Sequence, residues 1–213
     1  MKLILFDSSG TVIDDSETAY HAFKAHFNLY GRDLSFTSFR ENFCLPISAF
    51  LAKMGMPADA LRTFPAIISQ TYINSLIYAR LLPDVEECLV GLRQKGIRMG
   101  IVSATPAQLL WASLRRFGID GYFEVVLSDA SKPSPQPIFQ ACEKMGIHPD
   151  ERVVYVGDME EDMLCAKQAG VTAVGVCRDG SYHDRARLGS QNPKYLISDL
   201  RQLPDLLTPS LRW

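Results

Sequence analysis

The 213-residue sequence predicts an α/β chain, with a doubly wound parallel sheet as core and an inserted all-helical cap. Three observations lead there. A short apolar strand opens the chain, a long stretch of helical periodicity follows it, and from Pro83 onward apolar strands alternate with amphipathic helices. Such alternation implies βαβ units, a parallel sheet covered on both faces, and right-handed crossovers.

Residues 2–6 read as a buried strand running into the polar segment Asp7-Ser8-Ser9-Gly10-Thr11, which cannot comfortably continue it. Residues 14–82 read as helical. Ser16-Glu17 is a helix start, and Ala19, Phe23 and Phe27 recur at helical spacing. Further helices are expected at 36–43, 47–54 and 58–82, broken near Pro46 and Pro57, with Pro65 at a kink or break. No strand is expected in this block, and Phe23, Phe27 and Tyr72 are its expected apolar core.

Beyond Pro83, helices are expected at 85–94, 107–117, 136–145 and 160–169. They lead into strands at 98–102, 124–127, 152–156 and 172–176, before a last strand at 194–197 and helix at 200–207. The core is thus 1–13 with 83–213, and the cap is 14–82. Residues 208–213 lack periodicity and are expected to fray.

Composition narrows the function. Lys and Arg total 22 against 24 Asp and Glu, a net charge of -2, without the basic excess of a dedicated nucleic-acid binder. No apolar run approaches the roughly 18 residues of a membrane span. Residues 3–6 are too short for a signal-peptide core of about 7–15 residues. The five cysteines form no Cys-x-x-Cys pair, so reduced, mostly buried thiols and a cytoplasmic location are expected.

Open parallel sheets bind ligands beyond the carboxyl ends of their strands. After the first strand come Asp7, Ser9, Gly10 and Thr11; after Val102 come Ser103, Ala104 and Thr105. Lys132 follows the third core strand, and Gly157-Asp158-Met159-Glu160-Glu161-Asp162 follows Val156. Two acidic groups, one lysine and several hydroxyl or amide donors should therefore converge on one crevice. That mixture suits phosphoryl transfer. Carboxylates hold Mg²⁺, Lys132 adds a fixed positive charge, and Ser103 with the amides of the Ala104 turn can bind phosphate oxygens. Thr11 is a further hydroxyl donor there.

The chain resembles the haloacid dehalogenase (HAD) superfamily, specifically its phosphatase-like members with a helical cap on a Rossmann-like core. Asp7-Ser8-Ser9-Gly10-Thr11 stands for their Asp-x-Asp-Gly-Thr, and Gly100-Ile101-Val102-Ser103 for their strand ending in Ser or Thr. Lys132-Pro133-Ser134-Pro135 matches their lysine motif, and Gly157-Asp158 with Asp162 their Gly-Asp-x-x-x-Asp. The resemblance implies that Asp7 is nucleophile and Mg²⁺ ligand, that the Ser9 carbonyl is a second ligand, and that Asp158 binds the metal with Asp162 supporting it. Ser103 and Lys132 would hold the phosphate of a small phosphorylated substrate beneath the cap. A monomer or homodimer is expected.

One position departs. The family's acid/base aspartate is Ser9 here, and a hydroxyl has no useful acidity near neutral pH. Three readings stand open: a phosphatase whose acid/base lies elsewhere, a phosphonatase-like C–P hydrolase, and a non-catalytic binding protein on the same fold. The second needs a cap lysine, and only Lys24 and Lys53 are present. The acidic pair Asp158/Asp162 speaks against a metal-free dehalogenase. Among cap cations Arg40, beside Phe36, Phe39 and Phe43, is the expected substrate contact. His148 and His183 have no ligand partner at metal spacing, and residues 178–187 read as a mobile loop at the crevice rim.

Overall fold

The computed structural model describes residues 3–75, 78–179 and 181–206. Its centre is a six-stranded parallel sheet in the order β5-β4-β1-β6-β7-β8. The strands are β1 (Leu3–Phe6), β4 (Arg98–Val102), β5 (Val125–Leu127), β6 (Val153–Gly157), β7 (Thr172–Val176) and β8 (Tyr195–Ile197). β1 lies between β4 and β6, with Leu3 opposite both Arg98 and Val153. All four β1 residues are buried, as an unbroken apolar run on a strand covered on both faces should be. Leu3 and Leu5 face one helical layer and Ile4 and Phe6 the other, by the period of two.

Helices α5 (Val85–Gln94) and α6 (Ala107–Arg116) contribute Leu89, Leu92, Leu110 and Leu114 to the Ile4/Phe6 side. Helices α7 (Gln136–Lys144) and α8 (Glu160–Ala169) contribute Ile138, Cys142, Cys165 and Ala166 to the Leu3/Leu5 side. After β5 the chain crosses back to β6 on the far side of β1. The strand order therefore reverses around β1, and a crevice opens at the carboxyl ends of β4, β1 and β6. The expected last helix divides into a 3₁₀ turn, Leu200–Gln202, and the short helix α10 (Leu203–Leu206), after the small α9 (Arg185–Ser190).

Between β1 and β4 stand α1 (Ser16–Leu29), α2 (Phe36–Asn42), α3 (Ile47–Lys53) and α4 (Ala60–Ser75). Phe23, Phe27, Phe39, Phe43, Phe50 and Phe64 cluster there, with Phe23 edge-on to Phe50 at 5.2 Å between centroids. The same cluster takes in Leu109, Met159 and Tyr182 from the core side. Helix α4 continues through Pro65 instead of breaking there. It ends earlier than expected, because β2 (Ile13–Asp14) pairs antiparallel with β3 (Arg80–Leu81) in a two-stranded ribbon where no strand was expected. Two residues per strand are too few to show an alternating pattern.

Residues 178–187 are not the mobile rim expected. Ser181, Tyr182 and His183 are buried, and Arg178 pairs with Asp84 and donates to the Thr11 carbonyl. The fraying expected at 208–213 lies outside the described residues, as do Lys2 and Leu207. No helix among the described residues is long and apolar enough to cross a membrane.

Candidate active site

The nucleophile loop is shaped by its backbone. The Asp7 amide still donates along the sheet to Val156 O at 2.8 Å. The Ser8 carbonyl then accepts from Val12 at 2.8 Å and Ile13 at 2.9 Å, closing a tight turn. Gly10 adopts φ +73° within it, and a Cβ there would lie 2.1 Å from Asp158 Oδ2. Both the left-handed conformation and the lack of space require glycine. Thr11 Oγ1 donates to Asp158 Oδ1 at 2.8 Å, and the Tyr182 amide donates to Asp158 Oδ2 at 2.6 Å.

Lys132 is carried in by the loop after β5, whose Ala130 amide bonds Ser103 O at 3.0 Å. Its ammonium is 2.7 Å from Asp7 Oδ1 and 2.7 Å from Asp162 Oδ1. Asp162 also caps α8, accepting from the Met159 amide at 3.0 Å, and meets the Tyr155 hydroxyl at 3.1 Å. Burial opposes the charge on Lys132, but Asp162 and Asp7 outweigh it and hold the amine above its ordinary value. Burial lifts the Asp7 carboxyl to about 7 against the pull of Lys132, with Asp162 adding to the lift. Asp158 is raised well above the carboxylate range by burial, then by Asp7 and Asp162.

Asp7, Asp158 and Asp162 offer oxygens that all lie within 4.8 Å of one another. Three buried carboxylates face one ammonium, a deficit of positive charge that suits a divalent cation with oxygen ligands. The residues present therefore fit the metal that the resemblance implies.

Asp7, Ser9, Ser103, Ala104 and Lys132 line one cavity of about 130 Å³. Two expected contacts do not. Thr11 stands behind the acids, committed to Asp158. Arg40 lies outside the cavity and donates to Ser181 O at 3.0 Å, because α2 turns it toward the Arg178–Tyr182 loop.

Sequence reasoning missed Asp15, which is buried and lines the same cavity. Its Oδ2 accepts from Ser9 Oγ at 2.8 Å and from the Tyr72 hydroxyl at 2.5 Å, and its Oδ1 from the Tyr182 hydroxyl at 3.2 Å. Burial raises its pKa, against the three hydroxyl donors. Ser9 Oγ also lies 3.2 Å from Thr105 Oγ1. The only sequence signal was an acidic doublet, Asp14-Asp15, just past the first motif. His183 was also misjudged, since it packs beside Glu160 and Glu161. Its Nδ1 accepts from the Glu160 amide at 3.1 Å, so Nε2 donates to Phe43 O at 3.1 Å. Both ring nitrogens are thus committed to a clasp between α8 and the helical segment.

Relatives bear on this arrangement. A phosphoglycolate phosphatase of Haemophilus influenzae is 33% identical over 133 residues, 61% of this chain and 58% of that protein. The chain thus matches somewhat over half the length of that relative. A glyceraldehyde 3-phosphate phosphatase of Methanopyrus kandleri is 35% identical over 74% of this chain and 69% of that protein. Pyrophosphatase PpaX of Oceanobacillus iheyensis is 27% identical over 95% of each. A haloacid dehalogenase-like hydrolase of Streptococcus pneumoniae superposes with TM-score 0.85 at 20% identity, covering 97% of this chain and 98% of that one, which shows the fold. A family model for haloacid dehalogenase-like hydrolases matches residues 4–176. Since that match runs from β1 through β7 and takes in the segments that carry Asp7, Ser103, Lys132, Asp158 and Asp162, the chain belongs to the haloacid dehalogenase-like hydrolases.

Proposed function

We propose that the protein is a Mg²⁺-dependent phosphatase acting on a small phosphorylated metabolite through an aspartyl phosphate on Asp7. The observation that carries this reading is the buried Asp7–Lys132–Asp162 contact, at 2.7 Å on each side, beside Ser103 at the crevice. Asp7, Asp158 and the Ser9 carbonyl, with Asp162 behind, would hold the cation. When bound, it offsets the charge of carboxylate and phosphate as they approach. Lys132 and Ser103 orient the phosphoryl group, and an Asp7 oxygen forms the new bond to phosphorus as the bond to the leaving oxygen breaks. Water then attacks phosphorus, and the bond to Asp7 breaks.

The leaving oxygen needs a proton, and the attacking water must lose one. Ser9 cannot store it, but its hydroxyl donates to Asp15 at 2.8 Å. We read the Ser9–Asp15 pair as the replacement for the missing carboxylate. Water passes its proton to Ser9 as Ser9 passes its own to Asp15, and the reverse transfer supplies the leaving group. The C–P hydrolase reading finds no support: Lys24 pairs with Tyr20 and Asp33, and neither Lys24 nor Lys53 lines the cavity.

The test is hydrolysis of an aryl phosphate with and without Mg²⁺, for the parent and Asp7→Asn. Metal-dependent turnover lost in the variant is the expected result. Turnover surviving in Asp7→Asn rejects the nucleophile. No turnover and no Mg²⁺ binding in the parent favours a binding protein instead.

A further inference from the structure

Beyond the phosphoryl-binding end, the cavity wall is mostly apolar, with Asp15, Tyr72, Thr105 and Tyr182 as its polar members. Phe23, Phe43, Ile47, Phe64, Ile68 and Leu109 face it, from α1, the α2–α3 segment, α4 and α6. Lys132 is the only cation among the described residues of the lining, and Asp7 and Asp162 already hold it. The one further ionisable acid among the described residues of the wall is Asp15. Arg40, the cation best placed by sequence, is spent on Ser181 O outside the cavity.

From this lining we infer the substrate class: a phosphomonoester whose leaving group is small, apolar and without a second anionic group. The inference rests on the phosphatase reading and deepens it. A carboxylate or second phosphate on the leaving group would lose its water and gain no cation. An alkyl or aryl group would bury its surface against the phenylalanines at no such cost. The cavity, of about 130 Å³ including its phosphoryl-binding end, has room for a small leaving group. The chain therefore differs in chemistry from what the names phosphoglycolate phosphatase and pyrophosphatase say of its relatives.

The test compares propyl phosphate with phosphoglycolate, alike in length and different in charge, by kcat/KM in Mg²⁺. Propyl phosphate is expected to lead by at least about tenfold, and Ile47→Arg, at a half-buried wall position, to shift the ratio toward phosphoglycolate. Equal or better turnover of phosphoglycolate by the parent overturns the inference and leaves the phosphatase reading intact. Calorimetric titration with the unreactive analogues propylphosphonate and phosphonoacetate gives a second readout. Tighter propylphosphonate binding without turnover of any ester would sink the phosphatase reading and keep the pocket's preference. Phosphonoacetate binding as tightly or more tightly overturns the preference directly.

Discussion

Asp15 is the N-cap residue of α1, where an aspartate ordinarily accepts from the helix amides, yet its side chain makes no capping bond. The carboxylate is turned instead onto Ser9, Tyr72 and Tyr182. Asp15→Asn keeps the shape and removes the proton store, so kcat is expected to fall about 10²-fold while the melting temperature moves little. Adding Ser9→Asp to that variant should restore most of the loss, which a purely structural Asp15 would not allow. Lys132→Met leaves buried carboxylates facing one another. Breaking such a pair typically costs about 3–5 kcal/mol, so a large drop in melting temperature should accompany lost turnover. Asp7, Ser103 and Asp158 were legible in the sequence because each directly follows an apolar strand, and Lys132 and Asp162 because they lie in the segment just beyond one. Asp15 was not, because nothing in an Asp-Asp doublet tells which acid caps the helix and which turns inward.

At the scale of elements, the loop from β7 to α9 ties the molecule together through His183. Burial, then Arg187, lowers its pKa to about 4, below the ordinary 6.5. The folded protein thus holds the ring neutral. Its contribution is complete above pH 6.5 and drains away as pH falls toward 4, on the order of 3 kcal/mol over that window. Denaturant unfolding of the parent and His183→Gln at pH 7 and pH 4.5 should show the parent losing more on acidification; parallel losses would refute the clasp. This loop read as mobile because its mixed charges and glycine resemble solvated chain. Its order comes from contacts distant in sequence, Arg178 with Asp84 and His183 with Phe43, which no local pattern announces. The β2–β3 ribbon was hidden for a related reason, since each strand is two residues long. The α/β alternation was legible because the central strands β1 and β6 are fully buried and the helices that flank the sheet each turn an apolar face to it.

For the whole molecule, the acidic cluster is a liability until a cation neutralises it. Asp7 titrates near 7 when folded, against 3.8 ordinarily, so without metal the protein is stabilised at low pH and loses that share as pH rises toward and past 7. Mg²⁺ should therefore raise the melting temperature, with a larger gain at pH 8 than at pH 6. At about 100 times its Kd the ligand is worth about 2.7 kcal/mol. Scanning fluorimetry with Mg²⁺ or with EDTA at both pH values checks this; an equal or smaller gain at pH 8 would contradict it.

Tyr182 joins three parts of this protein at once. Its amide holds Asp158, its phenol touches Asp15, and its ring packs on Phe43 at 5.1 Å. Swinging the helices outward would draw Phe43 off that ring and slacken the grip on both acids together. If the protein is the phosphatase proposed above, such an open form would be idle by construction.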